Sequence, residues 1–343
     1  MKGRLSDLFL GLSPLVLALI FTTLILVVVG APPLEAYKHL LQGATESPAK
    51  VADVLVVWVP LALCAVGLLF PFTAGLWNIG VEGQIILGVV FATGVARSIY
   101  LPAALLLPLM ILAALLGGML WGLWVGALRV YGGVHEIFGG LGLNFVAMTI
   151  NIWLIAKPWR PALGATMQGT DPFPPAAWLP RLAGLRLSPV SLLLAIVAVI
   201  MVFFVLRGTL WGLQLKAVGR NARSAHLLGI NANRHMLLSF ALCGALAGLA
   251  GMTQVSGVWG RDIPQISGGI GYLALLVAML SGFTAVGVVP WALFFAAIGV
   301  GAARLHLRMQ LDPSLAGVLE TGLVLSVLLV AGLRTRLLTV KKG

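Results

Sequence analysis

The sequence predicts an all-α, polytopic integral membrane protein, and three observations predict it. Hydrophobic residues make up 60% of the 343-residue chain, and mean hydropathy is +1.06. Charged residues supply only 9%, against about 25% in soluble domains, too few to cover so much apolar surface. The apolar residues also run without alternation, which argues for helices and against a β-barrel.

A hydrocarbon core of ~30 Å takes about 20 helical residues, and at that length the chain yields about ten spans. They lie near 11–30, 51–70, 83–100, 103–127 and 137–156, then near 189–206, 236–254, 270–286, 289–303 and 315–333. Lys2 and Arg4 precede the first run, which extends from Leu8 to Val29 without a small-residue cleavage pattern. It is expected as a retained helix, not a signal peptide. Ten spans put both termini on one side. The basic residues of 207–234 and of the tail (Arg334, Arg336, Lys341, Lys342) orient that side inward. The net charge of +12 thus reflects topology, and no nucleic-acid partner is expected. Cys64 and Cys243, far apart in apolar runs, are expected as buried free thiols. Residues 1–343 form a single transmembrane domain in this reading.

Two hydrophilic stretches interrupt the pattern. The first, 157–187, holds Pro158, Pro161, Pro172, Pro174, Pro175 and Pro180, a stiff, non-helical outer loop that docks a partner or caps a cavity, or else is a passive linker. The second, 207–235, is rich in cations and small residues. Gly219 and Gly229 bracket Arg220–Leu228, a short amphipathic helix with Asn221 near its start. Two readings stand for it: a lever moving the flanking spans, or an interfacial helix resting on lipid headgroups.

The chain carries no G-x-x-x-x-G-K-[ST] loop, no H-E-x-x-H and no G-x-S-x-G, and its five histidines lack metal spacing. No cofactor, metal or enzyme activity of its own is expected; the composition is that of a conduit. The candidates are polar residues within the apolar frame. Trp77, Asn78, Glu82 and Gln84 follow Pro71 and Gly75, and broken backbone at membrane depth is how transporters build substrate sites. Glu82 either serves a pathway or sits near a helix start that stabilises its charge. Glu136 and Asn144 share a helical face, either lining a pathway or capping the helix and binding a neighbour. Glu320 is a third intramembrane carboxylate. Gly117, Gly118 and Gly122, with Gly244, Gly248 and Gly251, suit close helix packing. Gly268-Gly269-Ile270-Gly271 echoes the Gly80–Gly83 break and hints at a duplicated four- or five-helix unit.

Gly75-Leu-Trp-Asn78-Ile-Gly80-Val-Glu82-Gly83-Gln84 resembles the NIG-x-EGQ signature of permease subunits in ABC importers for nucleosides and simple sugars. Lys216-Ala-Val-Gly219-Arg220-Asn221-Ala222, then Gly229 to Arg234 and Gly244 to Gly251, are similar to the coupling segment of the same superfamily, which includes ribose and branched-chain amino-acid permeases. The resemblance implies a multi-pass protein of a prokaryotic plasma membrane that works with three partners. These are a cytoplasmic ABC ATPase gripping Lys216, Gly219, Arg220, Asn221, Ala222 and Gly229, a second permease chain (a paralogue or an identical copy) and an extracytoplasmic solute-binding protein. ATP is bound by the ATPase. A nucleoside is the expected solute, with a simple sugar or branched-chain amino acid as the alternative. An ion-coupled secondary transporter is the competing class, with the three carboxylates as its coupling groups.

Overall fold

The computed structural model describes residues 16–17, 19–161 and 169–309, and residues 322, 325, 326 and 329 of the C-terminal run. Apart from those four residues, the expected span at 315–333 lies outside the described residues, as do Glu320, Lys2, Arg4 and the basic tail. The helices are α1 (Leu19–Val28), α2 (Pro33–Thr45), α3 (Pro48–Thr73), α4 (Val81–Ser98), α5 (Ala103–Val130), α6 (Glu136–Ala156), α7 (Pro189–Gly208), α8 (Leu210–Arg220), α9 (Ala222–Leu227), α10 (Ala232–Gln254), α11 (Ile270–Leu280) and α12 (Ala285–Met309). A π-helical turn, Val255–Trp259, continues α10. There is no strand among the described residues.

Seven of these helices are long and apolar enough to cross a bilayer, or up to eight if α1 and α2, bent by 115°, form one span. Among the described residues, the expected span at 270–286 is missing from this count for a physical reason. Ser281 to Thr284 turn the chain there, with Gly282 and Phe283 at positive φ (62° and 57°). α11 keeps only 11 residues, a rise of about 16 Å, half a hydrocarbon core. The two Gly-rich breaks expected to mark a duplication open helices of unequal length, 18 and 11 residues, so the repeat gains no support beyond the breaks themselves.

The described residues form two compact units, Met1–Val54 with Phe294–Gly343, and Leu55–Leu293. In the first, Leu26, Ala31 and Ala36 pack with Tyr37 and Leu40. Tyr37 Oη meets the Thr22 and Thr23 hydroxyls at 2.6 and 2.9 Å, closing the corner between α1 and α2.

The second unit is built on α4, α5 and α10. Their seam is the glycine set expected from the sequence. Gly118 and Gly122 of α5 face Gly244 and Gly248 of α10, and Gly88 of α4 faces Gly248. A Cβ on Gly248 would collide with the Ala114 carbonyl oxygen, and one on Gly244 with that of Gly118. Backbones this close gain dispersion along the whole seam, the main attraction between helices in lipid. Beyond the glycines, Val89, Ala92, Met110, Ala114, Met252 and Val255 complete a dry core. Cys64 and Cys243 are buried free thiols, as expected.

Replacing Gly248 with Val should therefore cost at least the ~1–3 kcal/mol of an overpacked core, read as a lowered melting temperature or loss of the monodisperse peak in detergent. Gly142 has nothing within 4 Å of its would-be Cβ, and Gly142→Ala should leave both readouts unchanged.

Candidate functional site

After α3 ends at Thr73, the chain turns at Gly75 (φ 74°) and re-enters the apolar frame without helical hydrogen bonds before α4 starts at Val81. The freed polar groups need partners, because no water reaches them in an apolar surround. Two asparagines supply them. Asn144 Oδ1 accepts from Gly83 N at 2.8 Å, and its Nδ2 donates to the Ile79 carbonyl at 2.9 Å and to Tyr272 Oη at 3.3 Å. Asn78 and Gln84 exchange amide hydrogen bonds at 3.0 and 3.2 Å, and Asn78 Nδ2 also reaches Cys243 Sγ at 3.1 Å. Asn78, Gln84 and Asn144 are all buried.

Glu82, in the first turn of α4, is only 7% exposed. Its Oε1 accepts from Gly269 N at 2.9 Å and its Oε2 from Gly271 N at 2.7 Å. Those two N–H groups open α11, so a single carboxylate stands at the N-termini of two helices. Each terminus carries roughly half a positive charge, and a carboxylate held between them is stabilised by both. Ser267 adds a side-chain hydrogen bond. From there α11 runs toward Phe283, whose ring packs on Phe72 at 5.0 Å. The first break thus enters from the α8 side and the second from the opposite side, and the two meet at Glu82.

Glu136 and Asn144 do share the buried face of α6, with Gly140, Ala147 and Asn151. The capping part of that reading is corrected. His135 is the N-cap, its Nδ1 accepting from Ile137 N at 3.4 Å. Glu136, the first helical residue, instead pairs with Arg129 at 3.1 Å and accepts from Trp77 N at 3.4 Å. It ties the first break to the end of α5. Trp77 is 40% exposed, and its ring packs edge-on to Phe72 at 5.3 Å.

The Pro-rich segment is docked on its own chain. The π turn frees carbonyls at the end of α10, and the segment takes them: Leu179 N donates to Ser256 O at 3.1 Å, Phe173 N to Gly260 O at 2.7 Å, and Arg181 to Gly257 O at 2.8 Å. Thr170 N donates to Asp262 O at 2.8 Å and Asp262 N to Thr170 Oγ1 at 3.2 Å. Asn151 Nδ2 reaches Asp262 Oδ1 at 3.3 Å. Sequence reasoning missed Asp262 because it searched for carboxylates inside apolar runs; the signal was an acid two residues beyond Gly260. Burial pushes the Asp262 carboxyl up to about 7, opposed by hydrogen bonds from Asn151 and the Ile263 backbone.

The third element is the inner segment. The structure gives two helices, α8 and α9, where a single short one was expected. Asn221 caps α9, its Oδ1 accepting from Ser224 N at 2.9 Å, and Gly229 (φ 80°) closes it. Arg220, Asn221, Ala222, Arg223, Leu227 and Leu228 are exposed, and a groove of about 330 Å³ separates α8 from α9. Lys216 is anchored by Nζ donating to Leu206 O at 2.6 Å. Gly219 faces the opposite way. A Cβ there would strike the Thr73 carbonyl oxygen, and Gly75 lies against the Gly219 carbonyl. The surface helices therefore touch the first break backbone to backbone.

A polytopic helical chain with two broken segments meeting at a buried carboxylate, and with exposed short helices resting on one break, has the build of the membrane component of a transporter. The chain belongs to the family described as branched-chain amino acid transport system / permease component, whose model matches residues 50–330. It is 34% identical to the glucose ABC transporter permease protein TsgB13 of Haloferax volcanii, over 88% of this chain and 81% of that one. It is 27% identical to the guanosine ABC transporter permease protein NupP of Bacillus subtilis, over 95% and 94%. It is 26% identical to the nucleoside ABC transporter permease protein NupB of Lactococcus lactis, over 88% and 85%. It is thus a permease of the ABC-transporter kind.

Two outcomes follow from this geometry. Glu82→Gln cannot accept from both α11 N–H groups and should lose about 1–3 kcal/mol for each one left unmatched, measured as a lower unfolding temperature. For Asp262 the docked state favours the protonated form. Docking strength is then full below the unfolded carboxyl range and falls as pH rises through about 7. Hydrogen exchange of residues 169–180, corrected for its intrinsic pH dependence, should speed up across that range, and Asp262→Asn should abolish the change.

Proposed function

We propose that the chain forms half of the pathway of an ATP-driven nucleoside importer, its residues 1–343 acting as one permease domain in a prokaryotic plasma membrane. A cytoplasmic ABC ATPase seats on Lys216, Arg220, Asn221 and Ala222 beside the α8–α9 groove, with Gly219 and Gly229 setting the backbone there. A second permease chain, a paralogue or a second copy, completes the pathway. An extracytoplasmic binding protein delivers solute on the side of the Pro-rich segment. In this orientation both termini are cytoplasmic.

The observation that carries the reading is the contact of Gly219 with the Thr73 backbone. Closure of the ATPase displaces α8 and α9. With no side chain between, the shift reaches the 74–80 break and then Asn78, Glu82 and Gln84 at the start of α4. Trp77 offers an aromatic face at that break, and Glu136 and Asn144 hold its backbone from α6. Bases stack on such faces and hydrogen-bond to amides, which suits a nucleoside. The NIG-x-EGQ stretch and the guanosine and nucleoside permeases among the relatives support the same solute. A simple sugar is the second reading, favoured by the glucose permease at 34% identity.

Uptake of labelled guanosine, adenosine, glucose and leucine, with and without the chain, separates these. Loss of guanosine and adenosine uptake on deletion supports the nucleoside reading, loss of glucose alone the sugar reading, and unchanged uptake of all four sinks both. Ala222 is exposed, so Ala222→Trp should express and fold normally yet fail to restore uptake. Gly219→Val should leave the ATPase of the assembled complex unresponsive to loaded binding protein.

A further inference from the structure

We propose that a recess beside the α7–α8 junction binds the phosphate headgroup of an anionic phospholipid. The recess, about 210 Å³, is lined by Thr73, Phe203, Arg207, Lys216, Phe283 and Thr284, among others, and no carboxylate lines it. Among the described residues neither Arg207 nor Lys216 forms an ion pair. Both are nonetheless held in place. The Arg207 guanidinium lies 5.1 Å over the Phe203 ring, and Lys216 Nζ is fixed on the Leu206 carbonyl. Two fixed cations with no carboxylate opposite them define an anion-binding site; the Thr73 and Thr284 hydroxyls, already donated to the Leu69 and Ser281 carbonyls, only shape its wall.

The surroundings select a lipid over a free anion. Leu193, Val197, Ile200 and Phe204 of α7 are 61%, 52%, 50% and 61% exposed. Their helical spacing puts them on one face, and Arg207 continues it one turn beyond Phe204. This apolar track, about 21 Å long, accommodates an acyl chain and ends at the cations, where a headgroup phosphate would lie. Phe203 and Phe283 give the recess apolar walls. Basic recesses at helix ends are where anionic headgroups gain most from fixed charge. The inference rests on the membrane assignment and is independent of the solute.

The test is native mass spectrometry of the full-length chain from nanodiscs of phosphatidylcholine mixed with phosphatidylglycerol. The wild type should retain phosphatidylglycerol over phosphatidylcholine. Arg207→Gln and Lys216→Gln should each lower that retention about fivefold, and Arg207→Lys should recover most of it. Equal retention of the two lipids by the wild type, a comparison that needs no variant, would overturn the proposal. So would a preference that survives both Gln substitutions. Displacement of the lipid by millimolar inorganic phosphate would make this a free-anion site and overturn the lipid assignment.

Discussion

Everything in the larger unit is arranged around one buried carboxylate. Glu82 joins two helix starts that no continuous backbone connects, and its two oxygens hold Gly269 and Gly271 at 2.9 and 2.7 Å. Ending two helices inside an apolar frame leaves N–H groups and two partial positive charges there, a cost of several kcal/mol if unanswered. One side chain answers both. The arrangement ties the geometry of one break to the other, since moving α4 by an ångström would pull the carboxylate off α11. The polar residues around it act together. Asn144 and the Asn78–Gln84 pair satisfy the first break, and Glu136 anchors it to Arg129.

Much of this was legible in the sequence. The long spans were plain because apolar runs of 18 to 28 residues admit no other backbone in lipid. The polar residues of the first break stood out as acid and amide within such a run. The second break was legible only as glycines. Nothing local shows that Gly269 and Gly271 give their N–H groups to a side chain 187 and 189 residues away. Hydropathy also misjudged 270–286, because Phe283-Thr284 reads as continuation when Gly282 has already turned the chain. His135 took the cap expected of Glu136 because the arginine that claims Glu136 lies on α5.

The Pro-rich segment shows how irregular backbone is made orderly. Its prolines remove donors and fix φ, and its Leu179 and Phe173 N–H groups and Arg181 side chain find carbonyls at and just beyond the π turn. Widened turns of this kind cluster at functional sites, and here the turn supplies a landing strip for a segment that helical periodicity could not place. The thiols of Cys64 and Cys243, closed off in the same unit, take part as packing volume, with Cys243 also receiving an amide N–H from Asn78.

The glycine seam of α4, α5 and α10 has a mechanical consequence. Carbonyl oxygens of one helix sit in notches left by missing side chains on the next, so the three helices are keyed and cannot slide by a fraction of a turn without collision. Shear is available only to elements whose contacts are side chain on side chain, which can change rotamer. The trio therefore behaves as a stator. Rearrangement within this unit then falls to a rotation of the block as a whole, or to movement of the elements packed around it.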